Sequence, residues 1–192
     1  MLTLSHHPAH SPAIPMAVEA SVALQSDHTV VFTFRCCYQP QPQSNQQRSI
    51  GIELPAPTAP AECDHLWQHT CCEAFVSVLG ADDYLEFNFS PSGCWAAYRF
   101  SDYRVRDEAF RCASAPQIDF KHDEHAFELT ATVSSSVFLT QWPDHQIWQI
   151  GLSAVIETTD GHKTYWVMRH DDIEKPDFHL RTQFLLPLRV AN

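Results

Sequence analysis

A run of alternating polar and apolar residues in the middle of the chain constrains its fold most strongly. Three segments, residues 71–79, 84–89 and 94–100, alternate with the period of two that is typical of β-strands. Turn-forming residues separate them at 80–83 and 90–93. The stretch therefore predicts an antiparallel meander of three strands, with one face packed on a core and the other free for a second role.

Strand-like alternation recurs along the rest of the chain. Further strands are predicted at residues 17–24, 28–38, 50–54, 117–121, 126–133, 146–158, 163–170 and 184–190. Asp160-Gly161 is a strong hairpin signal, and residues 134–139 suit no more than one helical turn. Because no amphipathic helix of about ten residues or more is evident, the sequence predicts an all-β fold, an antiparallel β-sandwich or jelly roll.

The length of 192 residues suits one domain. Residues 1–15 are rich in His and Pro and predict a disordered tail, which leaves residues 16–192 as a single sandwich domain. Residues 39–64 contain five prolines and predict a long surface connection around the short strand at 50–54.

The net charge and the cysteine content limit which binding partners and which cellular compartment are expected. The formal charge of −11 opposes binding to nucleic acid or to an anionic membrane, and no apolar run of about 20 residues is present. The first residues lack the basic start and apolar stretch of a secretory signal. Seven cysteines, an odd number, favour reduced thiols. We therefore expect a cytoplasmic protein.

Aromatic and polar side chains near the meander predict a small-ligand site. The predicted ligand-binding residues are Trp67, Glu73, Glu86, Asn88, Trp95, Arg99 and Trp166. Sugars present an apolar ring face and a rim of hydroxyl groups, so their sites combine stacking aromatic rings with a few directed polar groups. An alternative use of Glu73 and Glu86 is the carboxylate pair of a glycosidase.

Two groups of residues suggest metal binding as a further alternative. Cys63, His65, His69, Cys71 and Cys72 offer zinc ligands, although their spacing matches no standard zinc motif. His162, His170, Asp171, Asp172 and His179 form a second group, for which a solvated loop is the competing interpretation. No phosphate-binding loop, dinucleotide fingerprint or hydrolase nucleophile motif is present.

Three segments resemble a known family. LWQHTCCEAF (66–75), the strand–turn–strand sequence of residues 84–100 and KPDFH (175–179) resemble a bacterial family of DOMON-like proteins. That family is related to family 9 carbohydrate-binding modules, and some of its members are linked to the cell-wall enzyme MurB. The resemblance extends over about residues 17–190 and implies a β-sandwich that binds a ligand.

The resemblance also implies roles for individual residues. In sugar-binding relatives, a tryptophan six residues before a glutamate forms one wall of the site, and Trp67 and Glu73 match that spacing. Trp166 would be the second wall and Arg99 a donor to hydroxyl groups. Other DOMON relatives bind haem through Met and His, for which Met168 with His179 or His170 would be the pair here.

These observations lead to one expectation and two alternatives. We expect a non-catalytic module without a cofactor that binds a saccharide or an amino-sugar derivative. A haem- or metal-binding redox module is the first alternative. A subunit that binds an unknown protein partner is the second.

Overall fold

The computed structural model describes residues 1–42 and 49–189 and shows an antiparallel β-sandwich. Its one α-helix in these ranges is α1 (Ser136–Gln141). In chain order the strands are β1 (Leu2–His6), β2 (Met16–Leu24), β3 (Thr29–Tyr38), β4 (Gln41–Pro42), β5 (Ser49–Ile50), β6 (Cys71–Val78), β7 (Tyr84–Phe89), β8 (Trp95–Asp102), β9 (Val105–Arg106), β10 (Gln117–His122), β11 (Ala126–Ser134), β12 (Ile147–Glu157), β13 (Lys163–Val167) and β14 (Leu186–Arg189).

Two layers share the strand β1. The first half of β1 pairs with β2, and the second half, Ser5 and His6, pairs with β13. The first layer has the order β10-β11-β3-β2-β1, and the second continues as β1-β13-β12-β6-β7-β8-β9 with β14 beside β12. The inner faces pack together, since the ring centroids of Phe32 and Phe89 lie 5.9 Å apart. The all-β sandwich prediction is confirmed.

The N-terminal residues belong to the sandwich, so the prediction of a disordered tail over residues 1–15 is wrong. Leu4 and Ile14 are buried in the core between the layers. The imidazole of His7 is also buried, and its Nε2 lies 3.0 Å from the carbonyl oxygen of Asp172. A composition rich in His and Pro hid a five-residue strand that has a partner on each side.

The central strands of the second layer are buried on both faces. Every residue of β6 and β7 is inaccessible to solvent or nearly so. The first layer covers the inner face, and residues 170–185 cross the outer face. Gly151 permits this close approach, because a Cβ there would lie 2.7 Å from Cδ1 of Phe184. Double coverage turns the outer face of the meander into a second, smaller core.

Arg181 fixes the covering segment to the β6–β7 turn. Its guanidinium donates hydrogen bonds to the carbonyl oxygens of Ala81 (2.7 Å), Asp83 (3.3 Å) and Val78 (3.2 Å). Three carbonyl acceptors on one turn hold the guanidinium in place. The covering segment is therefore tied to the sheet by directional bonds as well as by apolar contact.

The structure refines the other local predictions. The strand predicted at residues 84–89 is confirmed without change. The strand predicted at 163–170 ends at Val167, and the helical turn becomes α1. Part of the predicted connection, residues 43–48, lies outside the described ranges. Within those ranges, no helix is both long and apolar enough to cross a membrane.

The contribution of β1 can be tested with Leu4→Ala. Leu4 is 1% exposed, so we expect the free energy of unfolding to fall by about 2–4 kcal/mol, as for other truncated core leucines. Chemical unfolding in urea measures the change. Leu2→Ala on the same strand is the control, because Leu2 is 45% exposed. Equal, small effects of both substitutions would contradict the placement of β1.

Candidate functional site

A cavity of about 390 Å³ opens on the outer face of the second layer. Its aromatic wall consists of Trp67, Tyr98, Phe100, Tyr165 and Phe178. Its polar groups are Glu73, Glu86, Arg104, Arg106 and His179, and Val155 and Pro176 complete the lining. The sheet supplies the floor of this cavity. The segment before β6 and the covering segment supply its sides.

Two buried carboxyl groups lie at the floor. Glu73 on β6 is 3% exposed and Glu86 on β7 is 5% exposed. Ser153 Oγ donates to Glu73 Oε2 (3.2 Å), and Asn88 Nδ2 donates to Glu86 Oε1 (2.6 Å). Among the described residues, each carboxyl accepts one side-chain hydrogen bond, so its other lone pairs stay free for a ligand.

Burial changes the protonation of this pair. Desolvation raises the pKa of Glu86 to about 7, against the hydrogen bond from Asn88. Desolvation and the nearby charge of Glu86 raise the pKa of Glu73 well above its usual range. Both shifts favour the protonated carboxyl, which can donate a hydrogen bond, and Glu86 is close to its midpoint at neutral pH. The floor presents both a donor and an acceptor.

His179 enters the cavity as a neutral imidazole. Burial, followed by the nearby charge of Arg104, lowers the pKa of His179 to about 4. The Tyr84 hydroxyl accepts the backbone N–H of Arg104 (3.1 Å) and lies 2.7 Å from His179 Nδ1, to which it can donate its own proton when Nε2 carries the ring proton. The remaining proton of the ring then lies on Nε2, which is 3.7 Å from Glu86 Oε2.

The two arginines at the cavity are held by carboxylates outside it. Arg104 lies 2.8 Å from Asp177 Oδ1. Arg106 lies 3.6 Å from Asp64 Oδ2 and covers the Tyr98 ring at 4.2 Å. Within the described ranges, these contacts use only part of the five N–H donors of each guanidinium, and the carboxylates balance much of its charge.

Trp67 forms the exposed part of the wall. It lies in the 3₁₀ turn Leu66–Gln68, which follows the left-handed residue His65 (φ 61°). Its ring meets those of His65 and Tyr98 edge to face, at 5.1 and 6.0 Å. With 37% of its surface exposed, Trp67 offers apolar area to a ligand without contributing to the core.

The structure brings together three of the seven residues predicted for the ligand site. Trp67, Glu73 and Glu86 line the cavity. Asn88 does not line the cavity; it is fully buried beside Glu86 on the same face of β7 and donates a hydrogen bond to it. The other three, Trp95, Arg99 and Trp166, lie elsewhere.

Trp95 and Arg99 are on the opposite face of the sheet from the cavity, so their predicted role is wrong. The β7–β8 register pairs Phe89 with Trp95 and Glu86 with Tyr98, which places Trp95 in the core between the layers. Arg99 shares that face and bonds Asp83 (3.3 Å) and Asp107 (3.2 Å). Asp83 also accepts from Gln141 and Trp142 at the end of α1, so Arg99 belongs to a structural network.

The prediction that Trp166 forms the second wall of the site is also wrong. Its side chain is 3% exposed in the core between the layers, and its indole N–H donates to the Thr164 hydroxyl (2.8 Å). The neighbouring Tyr165 points the other way and lines the cavity. Because side chains alternate along a strand, an error of one residue moves a role to the opposite face.

The proposed haem pair is separated by the sheet. Met168 packs against the core between the layers, whereas His179 lies in the outer cavity. Among the described residues, no three or more His, Cys, Asp or Glu side chains are grouped to hold a metal ion. In the second predicted metal group, His162 and His170 instead contact the carbonyl oxygens of Ser11 (2.8 Å) and Ser5 (2.9 Å).

Sequence reasoning missed several cavity residues. They are Tyr98, Phe100, Arg104, Arg106, Val155, Tyr165, Pro176 and Phe178. The sequence contained a signal for Tyr98 and Phe100. Gly93 (φ 91°) ends a three-residue loop that pairs Ser90 with Cys94. Phe89 is therefore paired with Trp95. That pairing puts Tyr98 and Phe100 on the face of Glu86.

Comparison with known proteins supports the fold. The structure is similar to the crystal structure of a candidate carbohydrate-binding protein from Bacteroides uniformis, with a TM-score of 0.64 and 14% sequence identity. The similarity covers 98% of this chain and 84% of that chain. At this identity it shows a shared fold. No family model and no curated protein matches the chain, so the resemblance to DOMON-like proteins stays a prediction.

The carboxyl pair predicts a pH dependence of stability. Between pH 4.5 and about 7 the unfolded chain loses the Glu86 proton while the folded protein keeps it. The free energy of unfolding therefore falls as pH rises through this window. We expect Glu86→Gln to be more stable than the wild type at pH 8, by up to about 3 kcal/mol, and similar to it at pH 4.5. Urea unfolding across this range measures the difference.

Comparing the wild type with Glu86→Gln cancels an opposing effect of His179 on the pH dependence of stability. Its lowered pKa makes stability rise with pH between about 4 and 6.5 in both. The difference between the wild type and the variant therefore reports the carboxyl pair, because removing the charge of Glu86 also removes its effect on the pKa of Glu73. A difference that does not change with pH would contradict the raised pKa of this carboxyl.

Proposed function

We propose that this protein is a non-catalytic module whose outer cavity binds a small saccharide or an amino-sugar derivative. One observation carries the proposal: two buried carboxyl groups form the floor of a cavity walled by five aromatic side chains. Aromatic rings suit the apolar face of a sugar ring, and directed polar groups suit its hydroxyls.

The size of the cavity supports a small ligand. Its volume of about 390 Å³ lies near the lower end of the range of small-molecule sites, which is roughly 300–1,000 Å³. Trp67 at the opening would cover one face of the ring. A polymer would have to place a terminal unit in the cavity, because the covering segment with Phe178 closes one side.

The hydrogen-bonding groups suit hydroxyls, which both donate and accept. Protonated Glu73 and His179 Nε2–H are donors, while ionised Glu86 is an acceptor. Arg104 and Arg106 add donors at the side. A set of this kind can satisfy several hydroxyl groups of one ring without moving the backbone.

The same floor favours an amino group on the sugar. An ammonium placed beside the buried carboxyl of Glu86 would stabilise its ionised form. The aromatic wall adds cation–π attraction. Because Asp177 and Asp64 balance the two arginines, their repulsion of an ammonium group is reduced.

The structural comparison gives independent support of a coarser kind. The Bacteroides uniformis protein with the same fold is described as a candidate carbohydrate-binding protein. That description agrees with a binding role for the sandwich and does not extend to particular residues.

The first test is a thermal-shift panel of monosaccharides, amino sugars and nucleotide sugars, followed by calorimetric titration of any ligand found. A ligand at 100 times its Kd adds about 2.7 kcal/mol, or a rise of roughly 5–10 °C in a domain of this size. We expect Trp67→Ala to weaken binding by about tenfold or more, because the stacking surface is lost.

Two controls separate binding from folding. Trp67→Phe should keep most of the affinity, because it retains an aromatic face. Leu79→Ala removes an apolar side chain that is 80% exposed and should change nothing. No shift with any sugar in the panel would rule out the saccharide proposal.

Glu86→Gln distinguishes the two ligand classes. Gln keeps the oxygen that accepts from Asn88 but cannot become an anion. We expect affinity for an amino sugar to fall by about tenfold or more, since a buried charge partner is removed. Affinity for the corresponding neutral sugar should change only a few-fold. Equal losses, measured by calorimetry, would contradict recognition of the amino group.

The absence of catalysis is tested on the same protein. The raised pKa values of Glu73 and Glu86 also occur in glycosidase acids. Incubation with nitrophenyl glycosides of the sugar that binds should release no nitrophenol. If nitrophenol is released, and Glu73→Gln or Glu86→Gln abolishes that release, the protein is an enzyme and the proposal of a non-catalytic module is wrong.

A further inference from the structure

Cys63 and Cys94 bring two thiols together at the edge of the cavity wall. Their sulfur atoms are 2.9 Å apart, across 31 residues of sequence. Cys94 immediately precedes β8 and is 9% exposed, while Cys63 is partly exposed in the segment that leads to Trp67. A disulfide bond has an S–S length of about 2.05 Å, so a small displacement would suffice to form one.

Backbone hydrogen bonds hold these sulfur atoms in register. The N–H of Trp95 donates to the carbonyl oxygen of Ala61 (3.0 Å), and the N–H of Cys63 donates to that of Trp95 (2.8 Å). Glu62 thereby forms a parallel bridge with Trp95. The proximity of the thiols is therefore set by the main chain and does not depend on a side-chain rotamer alone.

The surroundings of Cys94 also favour its thiolate. Donation from the Cys63 thiol, and then from the Thr58 hydroxyl (3.4 Å), lowers the pKa of Cys94. Four cysteines that lie away from this pair behave differently, because burial raises their pKa: Cys36, Cys71, Cys72 and Cys112. Thiolate character is what makes a cysteine reactive toward oxidants.

We propose that Cys63 and Cys94 are an oxidisable dithiol, which a hydroperoxide converts into a disulfide that clamps the cavity wall to the sheet. The Cys94 thiolate attacks a peroxide oxygen, the O–O bond breaks, and Cys94 becomes a sulfenic acid as hydroxide leaves. Cys63 sulfur then displaces the sulfenic oxygen and loses its proton. In sum, two thiols and hydrogen peroxide give one disulfide and two water molecules.

The clamp would act directly on the wall of the site. Asp64 follows Cys63 and accepts the Tyr98 hydroxyl, and the turn with Trp67 begins two residues later. A covalent bond at Cys63 fixes the start of this wall to β8, which already provides Tyr98. The oxidised protein therefore has a more rigid opening, whatever ligand the cavity binds.

Peptide mapping of the wild-type protein tests the proposal. The protein is fully reduced, treated with about one equivalent of hydrogen peroxide, blocked with an alkylating reagent and digested. We expect a peptide cross-linked between Cys63 and Cys94, a loss of two hydrogens from the intact mass, and full reversal by dithiothreitol. Both thiols alkylated after peroxide, or Cys94 joined to a different cysteine, would overturn the proposal.

Variants and two physical measurements complete the test. Cys63→Ser should abolish the cross-link, and Cys112→Ser, which removes a partly exposed thiol elsewhere, should retain it. Oxidation should raise the Tm of the wild type by roughly 5–10 °C and leave that of Cys63→Ser unchanged. Amide exchange at Gln68 and His69, whose N–H groups close the Trp67 turn, should slow several-fold. Unchanged exchange in the cross-linked protein would show that the bond does not clamp the wall.

Discussion

The contacts that hold the covering segment, residues 170–185, against the second layer determine the environment of the two floor carboxyl groups. Phe184 stacks on Phe75 at 5.4 Å, and Phe178 and Phe184 share a second core with Tyr84 and Phe100. This cover excludes water from the outer face of β6 and β7. The pKa of the two floor carboxyls rises because of that exclusion, and a meander with a solvated outer face would leave both ionised.

Local structure was predictable because it depends on residues close together in sequence. Alternation located β7 without error, and the resemblance to sugar-binding relatives pointed to Trp67 and Glu73, which both line the cavity. The faces of β8 were not predictable from alternation alone, since the loop that ends at Gly93 decides the register. The cover has a polar sequence, and its position over the sheet depends on contacts between residues as distant as Arg181 and Val78. Tyr165 and Trp166 show the same limit, because both suit a wall and only packing assigns the face.

Two carboxyl groups in an apolar cavity reduce stability unless a ligand satisfies them. In the part of the chain that the structure describes, neither carboxyl has an arginine or lysine within ion-pairing distance, and each accepts one side-chain hydrogen bond. An arrangement that conflicts with stability in this way is typical of functional sites. The neutral His179, oriented by Tyr84, and the exposed Trp67 complete a surface that suits a ring carrying hydroxyl or amino groups.

A saccharide site in the cavity above Glu73 and Glu86 can be observed directly. The most direct measurement is a crystal structure of the protein with the sugar that gives the largest thermal shift. We expect a sugar ring in the cavity, with one face on Trp67 and a hydroxyl or amino group within hydrogen-bonding distance of Glu86. A sugar bound elsewhere, with the cavity holding only water, would show that the cavity is not a saccharide site.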